Sequence, residues 1–177
     1  WASNIVGKAS WSGELKITDE ATDIKIKSNL KGLGLKLIAP FGKKKEEIRT
    51  LLFIKKTINN DQELLKAEIG TYVSAKLIKE RNYDGVMEIK NGLININSLE
   101  TQIPNTGVML SAELSEVNLE SINSLFSSLG SKSFITNANI NIQELNVYGY
   151  QLSNANIKYV PKNNQNAGCR AFPKVRI

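Results

Sequence analysis

Apolar and polar residues alternate with a period of two along most of the chain, the pattern of strands with one buried and one wetted face. In Asp23-Ile24-Lys25-Ile26-Lys27 the isoleucines face one way and the charges the other. Leu33, Leu35 and Leu37 continue in that style, with Gly32 and Gly34 suited to a bulge or bend. Pro40 and Gly42 stop the run, and Lys43-Lys44-Lys45 reads as a loop tip. Further strands are predicted over residues 49–56, 64–70, 73–78, 85–90, 93–97, 107–114, 137–147 and 151–160. Turn signals separate them at Asn59-Asn60-Asp61, Asn82-Tyr83-Asp84-Gly85, Asn91-Gly92 and Tyr148-Gly149-Tyr150. Asn91-Gly92 is the strongest of these, because a two-residue type I′ turn needs positive φ at both positions. The expected topology is an antiparallel meander. One segment breaks the rhythm: Leu119, Ile122, Leu125, Phe126 and Leu129 recur at three and four, with Asn118 placed as a cap and Gly130 after the last turn. This predicts a single helix near 119–129.

A helix of about three turns cannot cover a sheet of that many strands. The sheet must therefore cover its apolar face by curling into a sandwich, a barrel or an open groove. The fold expected is mainly β, an elongated, curled antiparallel sheet with one short helix. Residues 163–177 lose both alternation and helical period, so residues 1–162 are expected as one β unit and 163–177 as a poorly structured or non-native tail.

Composition narrows the chemistry. The chain has 177 residues, no histidine and one cysteine, which removes histidine triads, histidine metal ligands and cysteine-rich zinc sites. The serines of 124–133 have no histidine to activate them. The adjacent carboxylates Asp19-Glu20 and Glu46-Glu47 fall at predicted turns and read as solvated surface. Gly32-Leu33-Gly34 is too short for a phosphate-cradling loop. No enzyme, cofactor or metal is expected. No apolar run approaches the roughly 20 residues of a membrane-spanning helix. Trp1 at the start, without an initiator Met, leads us to expect a piece of a longer protein.

The net charge of +6 is uneven. Residues 25–56 carry ten Lys or Arg against Glu46 and Glu47, whereas 97–147 carry Lys132 against five glutamates. Such a basic patch can hold phosphate, of nucleic acid or of lipid headgroups, or simply solvate a strand face. Aromatics are 7% of residues and are not interleaved with the basic cluster, so nucleic acid is not the expected partner.

Several stretches carry a family likeness. Trp11-x-Gly13-Glu14-Leu15-x-Ile17, then Ser28-Asn29-Leu30-Lys31-Gly32-Leu33, then Leu37-Ile38-Ala39-Pro40-Phe41-Gly42-Lys43 follow in an order that resembles the YhdP-type branch of the AsmA-like proteins of Gram-negative bacteria. Pro104-Asn105-Thr106-Gly107-Val108, Ala112-Glu113-Leu114 and the hairpin from Ile142 to Ala155 are similar in order and spacing too. The resemblance implies an interior segment of a large periplasmic protein tethered to the inner membrane by parts absent here. In that family repeated β segments form a lipid-lined groove implicated in moving phospholipid between inner and outer membranes. The expected partner is then phospholipid, its acyl chains lying in the groove.

Groove candidates are the apolar partners of the alternation: Ile24 and Ile26; Leu33, Leu35 and Leu37; Val108, Leu110 and Leu114; Ile140, Ile142, Leu145 and Val147. The same alternation also suits a closed β-sandwich of structural or adhesin type without ligand, and the basic cluster suits a nucleic-acid-binding β domain.

Overall fold

The computed structural model describes residues 4–36, 42–119 and 135–159. The predicted helix, past Leu119, and the predicted tail over 163–177 lie outside the described residues, as does Leu37. Eleven strands are present among the described residues: β1 (Ile5–Gly7), β2 (Trp11–Ile17), β3 (Thr22–Ser28), β4 (Leu33–Leu35), β5 (Leu51–Asn59), β6 (Gln62–Ile69), β7 (Val73–Arg81), β8 (Met87–Ile96), β9 (Gly107–Asn118), β10 (Ile135–Val147) and β11 (Tyr150–Tyr159). Nine of them form one mixed, open, curled sheet in the order β11-β10-β9-β8-β7-β6-β5-β3-β2. β1 and β4 pair separately as a two-stranded antiparallel unit.

From β2 to β8 the expectation of antiparallel hairpins holds. Beyond β8 it does not: β8 runs parallel to β9, and β9 parallel to β10, before β11 turns back antiparallel. Parallel neighbours require a crossover in place of a tight turn. For β8 to β9 that crossover is the segment 97–106, held by Asn95 Nδ2 donating to the Glu100 carbonyl (2.8 Å), Asn91 Nδ2 to the Asn105 carbonyl (3.3 Å) and a Ser98–Ser111 hydroxyl pair (2.7 Å).

Asn91-Gly92 is not a turn. The two strands expected on either side of it are one strand, β8, which carries a bulge where Ile78 pairs with Asn91 and Lys79 with Ile89. The glycine is there for close approach: a Cβ on Gly92 would lie 2.4 Å from Leu77 Cδ2 and 2.7 Å from the Lys76 carbonyl oxygen. A two-residue turn with positive φ at both positions does occur, at Tyr148 (φ 48) and Gly149 (φ 87), joining β10 to β11.

The core lies on β8, β9 and β10. Ile96, Leu110, Ala112, Ile140 and Ile142 form its centre, with Leu114, Leu119 and Ile157 packed against it. Val108 is 0% exposed and Ile142 1%.

Candidate functional site

Ladder register fixes which residues share a face, because paired residues in a sheet project to the same side. Ile26 lies beside Phe53, Phe53 beside Ala67, and Ala67 beside Ala75. Ile94, Leu110 and Ala138 carry the same row onward to Tyr159. The next row starts at Trp11, passes Ser28, Leu51 and Ile69 to Val73, and continues through Ile96, Ala112 and Ile140 to Ile157. A third contains Leu15, Ile24, Lys55, Leu65 and Leu77, then Gly92 and Val108. One face of the sheet is therefore largely apolar from edge to edge, interrupted at Ser28 and Lys55. Ser12, Glu14 and Lys16 of β2, with Lys25 and Lys27 of β3, occupy the opposite face.

The apolar face keeps its continuity through a change of phase. Along β9 the inward residues run Val108, Leu110, Ala112, Leu114 and then Val117; along β10 they run Ile140, Ile142 and then Leu145; along β11, Leu152 and then Ala155. Each strand steps by three at the same level, and the ladders skip Ser115–Gln143 and Gln143–Asn154 there. Asn154 takes a positive φ of 55° at the step. Because all three strands step together, the register is preserved and Val117 (6% exposed) packs with Leu145 (5%).

Exposure along the face is graded. Trp11, Leu15 and Ile17 on the β2 edge are 69%, 62% and 68% exposed. Ile24, Ile26, Phe53, Leu65, Ala75 and Leu77 are half-buried, and the rows become sealed core at β9 and β10.

One end of the face is polar. Lys55 Nζ reaches Glu63 Oε1 at 2.7 Å, and Thr57, Lys79 and Arg81 lie beyond them on the same side. Arg81 is committed to structure: its guanidinium donates to the Asn60 and Gly85 carbonyls and faces Asp61. Three carboxyls are held below the ordinary glutamate range: Glu47 by Arg49, Glu80 by Lys90 and then Gln62, and Glu100 by the backbone N–H groups of Gln102 and Thr101. None of them lies in the apolar rows. Among the described residues there is no cluster of metal-ligating side chains, and no helix is long and apolar enough to cross a membrane.

Of the groove candidates, Ile24, Ile26, Val108, Leu110, Leu114, Ile140, Ile142, Leu145 and Val147 belong to this face. Leu33 and Leu35 do not: they pair with Gly7 and Ile5 in the separate two-stranded unit. The sequence reading left out the middle of the face, the inward residues of β5 to β8. Leu51-Leu52-Phe53-Ile54 and Leu64-Leu65 place apolar residues on both sides, so their parity is hidden until the register is known.

No curated protein and no solved structure matches the chain. The family model described as YhdP protein matches residues 1–171, nearly the whole length. The chain therefore belongs to the YhdP protein family.

Proposed function

We propose that this chain is a segment of a lipid conduit, in which the apolar sheet face shelters phospholipid acyl chains between the inner and outer membranes of a bacterial envelope. The observation that carries the reading is the set of largely apolar rows across the nine-stranded sheet, interrupted at Ser28 and Lys55 and left uncovered toward β2. Nine strands at about 4.8 Å spacing span roughly 38 Å, against roughly 15 Å for one acyl tail, half of a bilayer's hydrocarbon thickness. A tail laid across the strands would thus remain in contact with apolar rows along its whole length. Exposing two tails of about 30 methylenes to water costs on the order of 20 kcal/mol, and an apolar trough removes most of that barrier.

A conduit also needs no catalytic group, because a lipid held tightly at one point would not move on. The half-buried residues of β3 to β7 are the working surface in this reading, while Val108, Ile140, Ile142 and Leu145 serve as the packed wall that holds its curvature. The periplasm is the compartment, with the membrane tether supplied by other parts of the protein.

The test is native mass spectrometry and thin-layer chromatography of organic extracts from the purified chain. Co-purified phospholipid is expected. Phe53→Asp and Leu65→Asp each put a carboxylate on the open part of the face, where it still reaches water, so lipid occupancy should fall while the fold survives. A clean extract from the unmodified chain, or equal occupancy in both variants, defeats the reading.

A further inference from the structure

Apart from Lys55, the basic cluster seen in the sequence lies off the apolar rows, and the placement of its central part gives it a use of its own. Three separate segments converge on the two-stranded unit of β1 and β4. The Lys8 N–H donates to the Gly32 carbonyl, the Gly32 N–H to the Lys45 carbonyl, and the Lys36 N–H to the Asn4 carbonyl. Leu35 and Lys43 bond each other through both backbone groups. These bonds gather Lys8, Lys31, Lys36, Lys44 and Lys45, all exposed and none in an ion pair among the described residues, on one small unit. Lys43 is buried beneath them, its ammonium donating to the Leu33 (2.7 Å) and Lys44 (3.0 Å) carbonyls with no carboxylate in the pair. Glu47, one of the two acids in the unit, is already engaged by Arg49, which also contacts Tyr72 and so pins the unit to the turn between β6 and β7.

Two isoleucines stand among these charges in water: Ile5 is 46% exposed and Ile48 is 61%. Lysines alone would suit any polyanion. Lysines around exposed aliphatic side chains suit a surface that is anionic outside and apolar beneath, as a bilayer of acidic phospholipid is.

We infer that the β1–β4 unit is a membrane-contact surface that docks on bilayers containing anionic phospholipid, independently of whether the sheet face carries lipid. The lysines engage headgroup phosphates while Ile5 and Ile48 enter the headgroup boundary. A juxtamembrane lysine contributes about fivefold in partitioning, so four of them amount to several hundredfold, roughly, at low salt.

The experiment is co-sedimentation of the chain with phosphatidylcholine vesicles with and without phosphatidylglycerol. Binding is expected only to the phosphatidylglycerol vesicles, and it should vanish near molar salt, where screening acts within about 3 Å. Lys8→Gln, Lys31→Gln, Lys44→Gln and Lys45→Gln combined should lose binding by on the order of a hundredfold or more. The charge-matched control, Lys16→Gln, Lys56→Gln, Lys76→Gln and Lys158→Gln, should lose far less. Ile48→Ser should weaken binding at unchanged charge, which a free phosphate or a nucleic acid as the true ligand would not produce. Equal binding to neutral vesicles, equal loss in the control, tighter binding to duplex DNA than to vesicles at the same salt, or no effect of Ile48→Ser overturns the inference. Far-UV circular dichroism of each variant establishes that it is folded, and lipid co-purified with the same variants, expected to be unchanged, separates this surface from the trough.

Discussion

The graded burial of the apolar face makes a quantitative demand on paired truncations at its two ends. Ile142 is 1% exposed, between Leu114 on β9 and Ala155 on β11, and within the core cluster. Ile142→Ala removes three carbons, about 2.4 kcal/mol at about 0.8 kcal/mol each, and the strands on either side cannot close fully around the void. A residual cavity adds about 1 kcal/mol, for a total of roughly 3–4 kcal/mol, within the range of large-to-small core changes. Leu15→Ala, at a residue 62% exposed on β2, forfeits about 1 kcal/mol or less. For a chain of this size those losses correspond to melting-temperature drops of about 6–16 °C and about 4 °C or less. Urea and thermal unfolding followed by far-UV circular dichroism measure both, with the urea slope checked for constancy. If Ile142→Ala costs under about 1 kcal/mol, or the two substitutions cost the same, the division into packed wall and open face is wrong.

Gly92→Ala should destabilise by about 2–3 kcal/mol, because its Cβ would press on a backbone carbonyl as well as on Leu77; a melting temperature within about 2 °C of the parent would refute the packing assigned to β8. Stability should decline as the pH falls below the ordinary glutamate value of 4.5. Glu100, Glu80 and Glu47 are depressed in the fold, so below 4.5 the unfolded chain binds more protons and stability falls with pH through the folded values. In urea titrations across that window Glu100→Gln should flatten the slope, and an unaltered slope would show that its backbone hydrogen bonds do not bias the carboxyl. Asn154→Gly should be neutral or slightly stabilising and Asn154→Val destabilising by about 1–2 kcal/mol, since φ there is 55°; the reverse order would deny the left-handed backbone at the step.

The parts of the fold legible in the sequence are those where one side chain in two is apolar. Asp23 to Lys27 reads directly as β3, and the pairs Ile24–Leu15 and Ile26–Phe53 put its isoleucines on the common face. Legibility fails where local chemistry serves a non-local end. Asn91-Gly92 has the composition of a turn, yet Gly92 is small because Leu77 and the Lys76 carbonyl leave no room, and Asn91 reaches the crossover at Asn105. The parallel ladders of β8, β9 and β10 depend on where the crossover 97–106 packs, which strand periodicity does not encode. Leu33 and Leu35 alternate as well as any strand here, but the three residues of β4 pair with β1, and Leu35 also with Lys43, so pattern alone puts them in the wrong sheet.

The step by three is the exception that was legible and yet easy to read past. Strict alternation beyond Leu114 would put Glu116 inward, and beyond Ile142 it would put Glu144 inward, so a sheet without the step would end its apolar face in carboxylates. The spacing Leu114-x-x-Val117 and Ile142-x-x-Leu145 avoids that burial, and Leu152-x-x-Ala155 matches it on β11. A bulge on one strand alone would shift its register against both neighbours; the same extra residue on three adjacent strands leaves the ladder intact while turning the sheet locally. The apolar face thus runs on past the end of β8 at Ile96, along strands that extend six residues beyond the Ala112 paired to it. On this account the step is what lets the packed wall continue as the sheet curls, and its three polar markers, Ser115, Gln143 and Asn154, fall on the opposite side from Leu114 and Ile142, where water can reach them.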